Sequence, residues 1–188
     1  HRNILITRSN LAVAYLKAGR EDEAAALFEQ VHVDRTRVLG PDHPDTLDTR
    51  HHIAVIRQRA DRVDETIVLL EEVLADQRRV LGDDHPNTLT TRHSIARACR
   101  DAGRASEALL LLMKVLADQR RVLGDDHPNT LSTRYSIAHT HIDVGRVDEA
   151  IVLLGEVLAD RRRVLGDDHP DTRSTVDALR AARAQRES

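Results

Sequence analysis

Apolar residues along this chain fall at helical rather than strand spacing. Between residues 63 and 81 they occupy Ile67, Leu70, Val73, Leu74 and Leu81, with Gln77 continuing the stripe, close to the i, i+3, i+4, i+7 template of a helix with one buried face. The stripe recurs as columns: Phe28, Leu70, Leu112 and Leu154 form one, and Val31, Val73, Val115 and Val157 another. A second helical stripe precedes each of these. It carries a branched column, Leu11, Ile53, Ile95 and Ile137, followed at once by a small one, Ala12, Ala54, Ala96 and Ala138. Small residues let two helices approach closely, and branched ones fill the groove between them.

The columns are spaced by 42 residues, and the period holds along the whole chain. Residues 74 to 89, LADQRRVLGDDHPNTL, recur unchanged at 116 to 131. The same offset links Gly40, Gly82, Gly124 and Gly166, and the pairs His43-Pro44, His85-Pro86, His127-Pro128 and His169-Pro170. Such self-similarity marks a repeat architecture. In the unit that starts at Gly82, a first helix is predicted from about Pro86 to Ala102, since proline is tolerated at the first helical position. Asn87 and the acids before it suit the first turn. The Gly103-Arg104 turn ends that helix, a second follows from about Ser106 to Val122, and Gly124 stops it. One such hairpin cannot bury its apolar face alone, so each must stack on the next. The predicted fold is all-α, a right-handed solenoid of stacked antiparallel helical hairpins forming one repeat domain over 1–188. Its units are about 1–39, 40–81, 82–123 and 124–165. A polar capping helix follows within 166–188, over about 171–185.

Composition narrows the picture. Aromatic residues are only 2 % of the chain, so the core consists of Leu, Val, Ile and Ala in thin repeated layers. Charged residues are 31 % and the net charge is -3, with both signs interspersed, which argues against a general attraction to nucleic acid. Arginine outnumbers lysine 26 to 2, as in GC-rich bacterial coding. No apolar stretch approaches the ~20 residues of a membrane span, and the one cysteine, Cys99, can form no internal disulfide. A cytoplasmic, membrane-independent protein is expected.

The segment LAVAYLKAGREDEAAALFEQ, residues 11–30, resembles a tetratricopeptide unit, with Leu11-Ala12, Tyr15, Gly19, Ala24 and Phe28 at that family's spacing. The connecting LGPDHPDTL, residues 39–47, is similar to the loop of the kinesin-light-chain-like subfamily, whose repeat is 42 residues. The chain departs from the pattern at several places. The tyrosine column reads Tyr15, Arg57, Cys99 and His141, and the turn glycine is Asp61 in the second unit. The usual helix-ending proline is absent at Thr36, Arg78, Arg120 and Arg162, which accounts for a longer second helix. In the subfamily, asparagine pairs on the first helix grip a peptide backbone. Here those pairs read Ser9-Asn10, His51-His52, His93-Ser94 and Tyr135-Ser136, so only Asn10 carries over.

The resemblance implies that first helices line a concave surface. The positions expected to face it are Ser9, Val13 and Leu16 in the first unit and His51, Val55 and Gln58 in the second. His93, Arg97 and Arg100 follow in the third, and Tyr135, His139 and Ile142 in the fourth. They vary while the core columns stay alike, as a binding face would. His51, His93 and His139 with Arg97 and Arg100 predict a groove whose positive charge rises below about pH 6.5, suited to a protein or peptide with acidic character.

Catalytic signatures are missing. There is no phosphate-binding glycine loop, no G-x-S-x-G and no H-E-x-x-H, so no cofactor and no enzymatic activity are expected. The four loop histidines belong to units set roughly 10 Å apart, too far to share one zinc with ligands at ~2 Å; they read as helix-start residues. Cys99 reads as a packed apolar residue. The arginine column Arg8, Arg50, Arg92 and Arg134 reads as inter-repeat ion pairing rather than RNA binding, because acids stand nearby in every unit. An apolar stacking face at the first hairpin predicts end-to-end or swapped self-association. By analogy with similar bacterial repeats that follow an NTPase module, the array would serve as the sensor arm of a signalling protein. A self-assembling structural array and, more distantly, an RNA binder are the alternatives to a peptide scaffold.

Overall fold

A computed structural model describes residues 2–57 and 63–187. Among them are nine α-helices and no strand. In chain order these are α1 (Arg2–Lys17), α2 (Glu21–Leu39), α3 (Pro44–Ile56), α4 (Val63–Leu81), α5 (Pro86–Asp101), α6 (Ala105–Leu123), α7 (Pro128–Asp143), α8 (Val147–Leu165) and α9 (Pro170–Glu187). Predicted and observed helix ends in the third unit agree to one residue. The turn at Asp61 lies outside the described residues.

The chain forms two compact units, residues 1–98 and 99–188. In the first, α1 packs on α2, α2 on α3 and α3 on α4; in the second, α6 packs on α7, α7 on α8 and α8 on α9. Short connections between packed neighbours make each pair an antiparallel hairpin. The columns seen in the sequence are the cores: Phe28, Leu70, Leu112 and Leu154 are fully buried, as are the alanines Ala12, Ala96 and Ala138. Leu47, Leu89 and Leu131 add a further buried column from the start of the first helices.

The helix ends follow from local chemistry. At Gly103, with φ +75°, the Gly103 N–H donates to Arg100 O at 2.9 Å and the Arg104 N–H to Cys99 O at 2.9 Å. This paired closure satisfies carbonyls that the helix leaves open and needs a left-handed residue. At the other end, the loop histidines cap the first helices. His43, His85, His127 and His169 each accept the backbone N–H two residues on through Nδ1, at 3.1 to 3.2 Å. Proline follows at the first helical position, where its missing N–H leaves nothing unsatisfied.

The arginine column differs from its expected role. Arg8 pairs with Asp34 at 2.8 Å, Arg50 with Asp76 at 2.6 Å and Arg134 with Asp160 at 2.6 Å. Each pair joins the first and second helix of one hairpin, not two repeats, because a spacing of 26 residues brings the middle of one helix opposite the last turns of its partner. At two junctions, α2 to α3 and α8 to α9, a buried arginine links one hairpin to the next. Arg35 in α2 donates to Asp45 O at 2.8 Å and Thr49 Oγ1 at 2.6 Å in α3. Arg161 in α8 repeats this with Asp171 O at 2.9 Å and Thr175 Oγ1 at 2.8 Å in α9. Cys99 is 1 % exposed within this packing.

Candidate functional site

Of the positions expected to face a ligand, Arg97 is exposed, while Val13, Leu16, Val55, His93, Arg100, Tyr135, His139 and Ile142 are half-buried. Gln58 lies outside the described residues. Ser9 and His51 are each only 7 % exposed and are therefore not surface contacts.

His51 departs furthest from expectation. Its Nδ1 lies 3.0 Å from Thr91 Oγ1, and its ring stands edge-on to His52, with centroids 5.6 Å apart. His52 is in turn stacked on Phe28 at 4.8 Å. Burial, and then the neighbouring His52 and His93, push the His51 imidazole down to about 3, because a cation there loses its water without gaining a counter-ion. It stays neutral across the physiological range. His139 is also pushed down, first by burial and then by the Arg100 charge, with Asp143 partly opposing. The expected groove that gains histidine charge below pH 6.5 is thus overturned at His51, which is buried and held neutral, while at His139 burial moves the gain of charge to lower pH.

What the structure brings together is a set of opposite charges in residues 99–188. A cavity of about 510 Å³ is lined by Arg100 and Asp101 at the end of α5, Gly103 and Ala105 in the turn, and His139 and Asp143 on α7. The Arg100 guanidinium donates to Asp101 Oδ1 at 2.9 and 3.2 Å and lies 3.9 Å from Asp143 Oδ2. His139 Nε2 is buried without a hydrogen-bond partner among the described residues. The cavity therefore offers a cation held at its margin by two acids, beside an imidazole whose Nε2 is closed off from solvent. The two aspartates were missed by column reasoning. Their signal was local: Asp101 directly follows Arg100, and Asp143 stands one turn beyond His139, where i, i+4 neighbours meet.

Tyr135, four residues before His139, serves the scaffold. Its ring tilts against His139 at 4.6 Å and lies under the Arg161 guanidinium at 4.7 Å, and its hydroxyl is 3.1 Å from Ser174 Oγ on α9. Ile142 packs beside the core of Ala138, Leu154, Leu158 and Leu179. No group of three or more ligand-type side chains that could hold a metal occurs among the described residues, and no helix there is long and apolar enough to cross a membrane.

Comparison with known proteins places these repeats. Two models of the tetratricopeptide repeat match, one over residues 45–120 and the other over 4–45 and 130–171. A Podosopora anserina protein assigned as a kinesin light chain, built of nearly identical TPR-like repeats, is 33 % identical. The match covers 100 % of this chain and 90 % of that one, with a TM-score of 0.69. A point variant of the same protein aligns with a TM-score of 0.70. BtubC (BKLC) from P. vanneervenii shares the fold at 21 % identity, covering 93 % of this chain and 70 % of its own, with a TM-score of 0.72. No curated protein matches.

Proposed function

Since the chain belongs to the tetratricopeptide-repeat family, in its kinesin-light-chain-like form, we propose that it is a non-catalytic platform holding an extended peptide against its first helices. Repeats of this family are protein–protein interaction scaffolds. The observation that carries the finer reading is the cavity of Arg100, Asp101, His139 and Asp143. Peptide backbone supplies both donors and acceptors, which the guanidinium and the two carboxylates of such a mixed lining can take up. Arg100 itself carries a permanent positive charge, which favours acidic side chains in the guest. Because the attraction comes from arginine, it falls with added salt and not with rising pH.

The test is selection of peptides from a displayed random library, followed by calorimetric titration of the best binder. Arg100→Ala and His139→Ala should each weaken binding roughly tenfold, the size of one lost polar contact. Unchanged affinity in both variants would remove this cavity from the binding face.

A further inference from the structure

The outward face of the second unit carries an apolar set that the peptide platform does not use. Leu110 and Met113 on α6 are 63 and 57 % exposed, and Val152 on α8 is 64 % exposed. Ala117 and Ala159 extend the set by about two turns along each helix and are also exposed. Between Val152 and Ala159 stands Gly155, in the middle of α8. Glycine in a helix interior is destabilising relative to alanine, and nothing inside the chain requires it here. Its φ is not positive, unlike every other glycine's, and a side chain built on it would meet open space.

We propose that this face pairs two copies of the chain about a two-fold axis running parallel to α6 and α8. The argument rests on the repeat itself. Both helices pack against α7, and positions on them correspond at an offset of 42. A two-fold axis midway between them lays α6 of each copy on α8 of the other in matching register. Leu110 then meets Val152, Ala117 meets Ala159, and Met113 enters the space above Gly155. Lys114, exposed beside this stripe, meets Glu156, whose side chain is 59 % exposed while one of its oxygens holds Arg134 at 3.2 Å, Arg134 being anchored independently by Asp160. Each contact occurs twice, which is the self-complementarity a closed dimer requires. The charges are complementary at the one flanking position where α6 and α8 differ in sign. Arg121 and Glu107, which would face Arg163 and Glu149, enter already paired: Arg121 with Asp118 at 3.4 Å, Glu107 with Arg104 at 2.8 Å, and Arg163 with Asp126 and Asp160. The register is particular to these two helices, because the residues equivalent to Met113 and Gly155 on α2 and α4 are Glu29 and Glu71.

Sedimentation equilibrium of the whole chain, from micromolar to near-millimolar concentration, tests the pairing. The expected result is a mass that rises to twice that of the chain and stops there. Lys114→Glu and Glu156→Lys should each weaken the dimer roughly tenfold or more by setting like charges opposite one another; the double exchange should restore it. Gly155→Gln should weaken it by filling the space for Met113, with circular dichroism checking that helix content is kept. A single-chain mass throughout, a dimer indifferent to these changes, or a double exchange that fails to restore it would overturn the proposal. Mass growing past two copies would do the same.

Discussion

Position 35 and its equivalents show how much one side chain does in a near-identical array. Arg35 and Arg161 are buried, and each ties a second helix to the following first helix through a backbone carbonyl and a threonine hydroxyl. In the inner repeats the same site holds Gln77 and Gln119, also buried, and Gln119 Oε1 and Thr133 Oγ1 find no partner among the described residues. Thr133 stands to Gln119 as Thr175 stands to Arg161. Arg161→Ala should therefore cost about 2–3 kcal/mol, since charged hydrogen bonds are lost and buried acceptors are left open. Gln119→Arg should stabilise by roughly 1 kcal/mol, because the longer donor reaches the waiting hydroxyl. Urea denaturation of both variants checks this, and a destabilised Gln119→Arg would show that the inner repeats lack room for the guanidinium. None of this was legible in the column pattern, where Gln77 merely continued an apolar stripe: a polar head at the end of a buried stem has no periodicity of its own.

Among the elements, the helices were legible nearly to the residue because apolar period, proline and glycine all act locally and agree. The agent of the caps was less so. Ser, Thr, Asp and Asn lead cap preferences, which draws the eye to Asn87 and its acidic neighbours. In the fold the imidazole of His85 takes that place and Asn87 contributes only its backbone N–H. His127→Ala should cost about 1 kcal/mol and His127→Asn should recover most of it, as measured by thermal unfolding at neutral pH. Equal losses in both would mean that the ring acts by packing. The ion pairs teach the same lesson about distance. A column of arginines announces that charges recur, but which helix bears the partner depends on how the hairpin closes, and Arg50 meets Asp76 only once it has.

Over the whole molecule, histidines held wholly or partly out of water set the response to acid. His32, His51, His52, His139 and His141 are all pushed below their ordinary value, with burial the first cause in each. The unfolded chain takes up these protons near pH 6.5 and the folded one does not. The stability is therefore full above that pH and is lost as pH falls from about 6.5 towards 3. His51, held down to about 3, contributes on the order of a few kcal/mol to that loss. Asp76 and Asp160, held low chiefly by their arginine hydrogen bonds, push in the same direction at lower pH. The urea midpoint should drop markedly between pH 7 and pH 5, and His51→Asn should flatten the fall; an unchanged slope would remove His51 as its main source. The exposed face was only partly legible from sequence for this same reason. Repeat position locates a residue on a helix, whereas the burial of His51 depends on how its neighbours on other helices close over it.

Cys99, shielded at 1 % exposure, gives the molecule a built-in clock. A thiol reacts as its anion and only when a reagent can reach it, so alkylation under native conditions must wait for the surrounding helices to part. With rapid reclosing, the labelling rate divided by that of a small free thiol reads the local opening equilibrium directly, with no residue introduced.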